Sequence, residues 1–479
     1  MASTPVGWSR MRPTEGWWKR PTWWLIVVTV AGFVLRLVWV RYATRVPMGD
    51  HDPGFYYDYA KRLAHGGGYH LANGEPTAYY PVGYPAVLGA LFWFVQHTPI
   101  PDNLPLAASY FNLVLGTATI ALAGVLARRL ISAWVGVVAA TLVAFFPNLV
   151  LYTAVMLTET LFNFLLVVAL LVLLWHPIRR GGRGPSTVRL VVFGFLLGAC
   201  VMVRPVALMM LPVLAVAWVI LGGGWRQWMR RIVLVVLPVV AVMTPWIVRN
   251  AIVMHDATFA TTTGDNLCIG NNPGASGAFQ LPDWCFHGFE NGHRPEFETE
   301  RDRVLTDRSV HWILGHPLEQ PRLLAWRTFY TFVSDHDGLR AVQSYEADQF
   351  LPVKLADTIG SLADGYYFAV LTLGVAGLAA MVTRRDGRRV LFLAAVVALA
   401  IAPWPFFGDP RFHLPVSFLL TVPAATTIVG LRSVRRWLVP PGDGPSPDGP
   451  GDRGDPGASE PSLSVGDDSG PSVGTPAIG

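Results

Sequence analysis

The sequence predicts an all-α polytopic membrane protein of about ten transmembrane helices, with both termini cytoplasmic and two large segments outside. Three observations carry this reading. Of 479 residues, 52% are hydrophobic and 14% charged, with a mean hydropathy of +0.40, whereas soluble domains carry roughly a quarter charged residues. The apolar residues fall into runs of about 14 to 23, a length suited to repeated bilayer crossings. Lys and Arg gather in short stretches between those runs. A single soluble core is excluded. The net charge of +5 and pI near 9.2 belong to loops beside apolar spans, so they set orientation and do not point to nucleic acid. Three cysteines with no CxxC spacing are too few for a disulfide scaffold or a metal cluster. Cys200 lies in an apolar run, and Cys268 and Cys285 share one polar segment where they can pair if it faces an oxidising space.

Residues 1–22 hold Arg10, Arg12, Lys19 and Arg20 ahead of the apolar run from Trp23 to Val40, and no small-residue cleavage site follows. This reads as a retained first helix behind a cytoplasmic N-terminus. Further spans are expected at 104–126, 133–152, 160–175, 190–203, 206–221, 232–248, 366–382, 390–405 and 412–431. The run from Tyr84 to Val95 makes only about 18 Å of helix against a hydrocarbon core of about 30 Å, so it is expected to lie at the interface, within a first external loop over 41–103. With that choice every strongly basic short loop falls inside: Arg128 and Arg129; Arg179, Arg180 and Arg183; Arg226, Arg230 and Arg231; Arg384, Arg385, Arg388 and Arg389; Arg432, Arg435 and Arg436. Counting 84–95 as a span would put most of them outside. A first transmembrane module, which the resemblance described below makes the catalytic one, is expected over 23–248, followed by an external loop between helices 7 and 8 over 249–365 and the last spans over 366–431. The second loop includes an amphipathic stretch, Leu318 to Val333, suited to lie against the membrane. The tail over 432–479, rich in Pro, Gly, Ser and Asp, is expected to be disordered and cytoplasmic.

Polar groups at the mouths of membrane helices are costly and mark functional sites. On this topology Asp50, Asp52, Glu159, Arg204 and Arg411 all fall on the external side. Carboxylates able to accept a hydroxyl proton thus meet guanidiniums able to hold a phosphate through two parallel bonds. Each residue also has an ordinary reading. Asp50 and Glu159 suit solvated or capping carboxylates, Arg204 before Pro205 suits a helix end reaching to head groups, and Arg411 suits a surface pair with Asp409. His51, His65 and His70 near Asp50 lack the i, i+4 spacing of a helical zinc site, so no metal is expected. Tyr56, Tyr57, Tyr79, Tyr80 and Tyr84 fit an interfacial aromatic belt as well as a sugar-stacking platform.

The segment Asp52-Pro-Gly-Phe-Tyr56-Tyr-Asp-Tyr-Ala60-Lys-Arg-Leu63, followed by Glu75-Pro-Thr-Ala78-Tyr-Tyr-Pro81-Val-Gly83-Tyr84-Pro85, resembles the first external loop of GT-C membrane glycosyltransferases. These include protein O-mannosyltransferases, lipid A aminoarabinose transferases and the Rgt-type sugar transferases. The resemblance continues through Leu157-Thr158-Glu159, Val203-Arg204-Pro205, Pro245-Trp246, Arg249-Asn250, Asn271-Asn272-Pro273 and Gly408-Asp409-Pro410-Arg411-Phe412. It implies a catalytic base at Asp52 by the Asp-x-x-x-Tyr-x-x-x-Ala spacing, with Asp50 in reserve, because many relatives carry Asp-Glu where this chain has Asp52-Pro53. It also implies a second carboxylate at Glu159 and phosphate-holding residues at Arg204 and Arg411.

The same resemblance implies an inverting hexosyl- or pentosyltransferase without a cofactor. Such an enzyme would move a sugar from a polyprenyl-phosphate donor to a hydroxyl of a glycan, lipid or protein on the external face of the cell membrane. The leaving group is already a phosphate anion, so the site needs a base and positive charge but no general acid. A Cys268–Cys285 link would close a loop of about 17 residues, worth about 3 kcal/mol, in a segment serving as lid or acceptor site. The competing class is a transporter or flippase, which ten helices with buried polar groups also suit. A third is a non-catalytic assembly partner of envelope enzymes.

Overall fold

The computed structural model describes residues 20–99, 103–178, 184–286, 295–382 and 386–438. The expectations for residues 1–19, for the Arg179, Arg180, Arg183, Arg384 and Arg385 loops, and for the tail beyond 438 lie outside the described residues. Met1–Ser433 forms one compact unit and Val434–Gly479 another; the site belongs to the first.

Regular structure among the described residues is helical. α1 (Pro21–Ala43) is followed in a first polar segment by α2 (Asp52–Ala64) and α3 (Gly83–Gln96). Then come α4 (Leu104–Leu130), α5 (Ala133–Ala144), α6 (Pro147–Leu151), α7 (Glu159–Leu174), α8 (Thr187–Val203), α9 (Met210–Ile220) and α10 (Trp225–Val253). A second polar segment carries α11 (Thr263–Gly270), α12 (Asp283–Phe286), α13 (Pro295–Gly315), α14 (Glu319–Phe332) and α15 (Asp337–Val342). The chain returns through α16 (Val353–Val382), α17 (Gly387–Ile401) and α18 (Leu414–Leu438). Among the described residues, five helical stretches are long and apolar enough to cross a membrane: Pro21–Ala43, Leu104–Leu130, Trp225–Val253, Val353–Met381 and Pro410–Leu431. A bent pair over 133–154 makes a sixth. The other four expected spans coincide with shorter helices: α7 with 16 residues, α8 with 17, α9 with 11 and α17 with 15. At 1.5 Å per residue these fall short of the hydrocarbon thickness.

The bent pair departs from the single span expected over 133–152. Pro147 lacks an N–H and disfavours helical geometry in the residue before it. Phe146 accordingly sits at φ −69°, ψ 109°, and the axis bends by 62°. The carbonyls that the break leaves without intrahelical donors are taken by Arg36 of α1, which is 1% exposed. Its Nη1 donates to the Ala144 carbonyl at 2.8 Å and its Nη2 to Val143 at 3.0 Å. A buried guanidinium thus satisfies backbone that hydrocarbon cannot.

Two close approaches set the first polar segment on the bundle. A Cβ at Gly83 would stand 2.4 Å from the Met202 carbonyl oxygen, so only glycine lets the start of α3 meet the end of α8. Gly89 of α3 likewise seats against Leu63 and Ala60 of α2. In the second segment Cys268 and Cys285 are bonded, joining α11 to α12, and bury Leu305 of α13 beside them. The amphipathic expectation over Leu318–Val333 corresponds to α14, which buries Leu323, Arg327 and Thr331 and exposes Trp326 and Phe329.

Candidate active site

Four residues far apart in sequence converge where α2, α7, the end of α8 and the turn before α18 meet. Asp52 opens α2, behind the extended residue His51 and ahead of Pro53 at a position where a missing N–H costs nothing. Glu159 opens α7. Arg204 precedes Pro205, which forces it out of the helix to φ −143°, ψ 111° and turns its side chain inward. Arg411 rides on the single 3₁₀ turn Pro410–His413, whose start is capped by the Asp409 side chain accepting from the Arg411 N–H at 2.9 Å. A Cβ at Gly408 would lie 2.2 Å from the Arg327 carbonyl oxygen, and the Gly408 N–H donates to the Gly277 carbonyl at 2.7 Å. That packing presses the turn onto α14.

The geometry is a chain of alternating charge. The Asp52 Oδ1 accepts from the Tyr80 hydroxyl at 2.7 Å and its Oδ2 from Arg411 Nη1 at 2.5 Å. Arg411 Nε donates to Glu159 Oε1, which also accepts from Arg204 Nη1 at 2.8 Å. Side-chain exposure grades along it: Glu159 is 0% exposed, Arg204 10%, Arg411 14% and Asp52 30%. The fully buried carboxylate therefore holds two cations, and the one that water reaches is Asp52. Burial alone would raise the Asp52 carboxyl, but Arg411, the Tyr80 hydroxyl and Arg204 outweigh it and hold the group below its ordinary value. It is the most exposed member of the chain of charges.

Several ordinary readings of these residues give way. Arg204 pairs inside the fold, and Arg411 pairs with Asp52 and Glu159 while Asp409 binds its backbone. Asp50 is exposed on the loop before α2 and takes part in none of these ion pairs. The structure thus brings together Asp52, Glu159, Arg204 and Arg411 and leaves Asp50 outside.

Three neighbours carried no signal that singled them out. Tyr80 was visible only as one of five aromatic residues. It stacks within an aromatic wall, 5.0 Å from Tyr56 and 4.9 Å from Tyr79 between ring centroids, and Tyr84 adjoins Tyr56 at 5.2 Å. Asp337 accepts from the Tyr152 hydroxyl at 2.7 Å, and burial together with the nearby Asp409 carboxylate pushes it up to about 6. Tyr345 sits in a left-handed turn of three consecutive non-glycine residues, Ser344, Tyr345 and Glu346 with φ of 49°, 51° and 83°. Each such residue costs about 1–3 kcal/mol, and strain of this kind gathers at functional sites. The turn lies against the loop leading to Asp52: the Tyr345 ring is 5.2 Å from that of His51, and the Met48 N–H donates to the Ser344 Oγ at 3.1 Å.

No protein-family model matches the sequence, and no curated protein matches it. Solved structures do. The chain is similar to the oligosaccharyltransferase of Archaeoglobus fulgidus in its apo form, at 16% identity and TM-score 0.50 over 88% of this chain and 52% of that one. It is also similar to that enzyme tethered to an acceptor peptide containing the NVT sequon, at TM-score 0.51. ArnT from Cupriavidus metallidurans bound to undecaprenyl phosphate matches at 13% identity and TM-score 0.53, over 87% of this chain and 62% of that one. At these identities the likeness is one of fold: the chain has the GT-C fold of solved membrane glycosyltransferases. It spans about half the length of the archaeal enzyme.

Proposed function

We propose that the chain is an integral membrane glycosyltransferase that moves one sugar, with inversion, from a polyprenyl-phosphate donor to an acceptor hydroxyl, with Asp52 as general base. The observation that carries this is Arg411, shared between Asp52 and Glu159, with Arg204 on the far side of Glu159. Two guanidiniums held by one buried carboxylate form a prepositioned cationic cradle for a departing phosphate. The half-open carboxylate beside it faces the place where an acceptor would arrive. The similar structures, one bound to undecaprenyl phosphate and one tethered to an acceptor peptide, agree with a lipid-phosphate donor and a separate acceptor.

The shared cation also couples the two halves of the reaction. When a donor phosphate draws Arg411 toward itself, Asp52 loses part of the positive field that holds its carboxyl low. The base becomes stronger at the moment the leaving group is in place. Glu159, buried and bonded to both guanidiniums, acts as the anchor of the cradle.

The topology proposed with this function keeps ten spans, the short helices α7, α8, α9 and α17 included, and places α2, α3 and the second segment on the external side of the cell membrane. The Cys268–Cys285 bond supports an oxidising environment for that segment.

The test uses membranes containing the full chain, supplied with a panel of radiolabelled polyprenyl-phosphate sugars and read for label leaving the carrier. Release from one donor that is lost in Asp52→Asn supports the assignment. Release from no donor contradicts it and favours a transporter.

A further inference from the structure

The 3₁₀ turn that carries Arg411 ends at His413, a residue that is fully buried together with its partner Asp335. His413 Nδ1 lies 2.5 Å from the Thr331 carbonyl, which can only accept, so Nδ1 bears a proton. Its Nε2 lies 2.9 Å from Asp335 Oδ1, and that oxygen also accepts from Asn148 Nδ2 at 2.8 Å. The Asn148 carbonyl oxygen in turn accepts from the Gly338 N–H at 2.9 Å. The ring stacks with Phe332 at 5.7 Å and with Tyr367 at 4.6 Å. One imidazole thus ties the turn to the end of α14 directly, and through Asp335 and Asn148 to α6 just past its break and to the start of α15, using both nitrogens.

The other end of the turn is fixed independently by Gly408 against α14. Arg411 lies between the two fixed ends, two residues from His413, and its guanidinium must reach Asp52 and Glu159 at once. Resting on the function proposed above, we propose that His413 is a positioning residue that holds Arg411 in the bridging geometry, with Asp335 and the Thr331 carbonyl as its anchors. A side chain buried on every side has no route to a substrate, so its effect passes through Arg411. A displacement of about 1 Å at such a cation costs on the order of 100-fold in rate.

The test is a double-mutant cycle on the full-length protein, read twice. His413→Phe keeps the stacking and removes both hydrogen bonds; His413→Gln restores one of them, to Asp335. Each is combined with Arg411→Lys, which keeps the charge but not the fork. In sugar transfer, His413→Phe alone is expected to lower kcat/KM about 100-fold and to cost far less when Arg411 is already Lys, with His413→Gln intermediate. In ligand-free thermal unfolding, the loss in Tm from the double variant is expected to be smaller than the sum of the two single losses. Additive losses in Tm would overturn the positioning role. Non-additive Tm with no transfer from any donor by the wild type would leave His413 as the support of Arg411 and overturn the proposed function instead. Equal rate losses from His413→Phe with Arg411 and with Lys at that position would also overturn the positioning role.

Discussion

Two adjacent tyrosines hold two carboxylates of opposite character. Tyr80 donates to Asp52, which is paired with Arg411; Tyr79 donates to Asp265 at 3.0 Å, and Asp265 is paired bidentately with Arg301 at 3.0 and 2.6 Å. Each is an Asp–Tyr–Arg triad, and the two tyrosines stand together in one bend with their rings 4.9 Å apart, edge to face. Yet the Asp52 carboxyl lies below its ordinary value and the Asp265 carboxyl above it. For Asp265 burial prevails over Arg301 and Tyr79, whereas Asp52 has Arg411, Tyr80 and in addition the field of Arg204. Identical partner types do not decide the direction of the shift: burial prevails at Asp265 and is outweighed at Asp52, first of all by Arg411. On the proposed function the first triad holds the base, and the second clamps the segment before α3 to the segment after α10. Glu298 strengthens the clamp by accepting from the Ala78 N–H and the Thr77 hydroxyl at 2.9 Å each.

The largest expected break in this contrast is Arg411→Ala. It leaves Glu159 buried with one cation and strips Asp52 of its own, and losing one partner of a buried pair costs about 3–5 kcal/mol. Thermal unfolding of the purified protein should show the loss, with transfer abolished. Arg411→Lys should fold and bind undecaprenyl phosphate about 10–100-fold more weakly, since a point charge cannot replace the fork.

A middle-sized effect separates the tyrosines. Tyr80→Phe removes one bond to Asp52, a loss of about 1–2 kcal/mol, and lets its carboxyl rise. Because that carboxyl is depressed in the folded protein, activity and the stability it contributes are present above the ordinary carboxylate range and lost as pH falls. The acid limb of the transfer rate should move to higher pH in Tyr80→Phe. Tyr79→Phe should lower Tm and leave that limb where it is.

The smallest effect belongs to Asp302, which burial pushes up to about 6 despite the Gly264 N–H it accepts. The folded state here holds its proton more tightly than the unfolded chain, so stability falls as pH rises from about 4 to about 6. Asp302→Asn keeps the Gly264 bond and should flatten that fall, an effect that solvent screening of the partly exposed carboxyl keeps small, read from Tm across the same window.

The four clustered residues were legible in the sequence because each sits at a helix mouth beside a local signal: Asp52 before Pro53, Glu159 at a helix start, Arg204 before Pro205, Arg411 after Asp409-Pro410. The family resemblance favours Asp52 over Asp50 as the base; in the structure Asp52 lies in the ion-pair cluster and Asp50 does not. Long apolar runs reveal α1, α4, α10, α16 and α18. The break at Phe146–Pro147 was masked because apolar residues continue on both sides, and the proline signal was weaker than the hydropathy. Asp337, Tyr345 and the His413–Asp335 pair were hidden for another reason. They reach the site through the packing of the long polar segment after α10, which has no period to read, and a left-handed turn at Ser344–Glu346 contains no glycine to announce it.

The contrast reduces to which carboxylate takes the acceptor's proton. Asp52→Asn and Asp265→Asn are to be compared in single-turnover sugar transfer, with undecaprenyl phosphate binding measured on the same preparations. Asp52→Asn is predicted to bind the carrier as the wild type does and to slow transfer by about 10²–10⁴-fold, while Asp265→Asn transfers at nearly the wild-type rate. Full transfer by Asp52→Asn, or loss of it in Asp265→Asn with the fold intact, would contradict the assignment of the base.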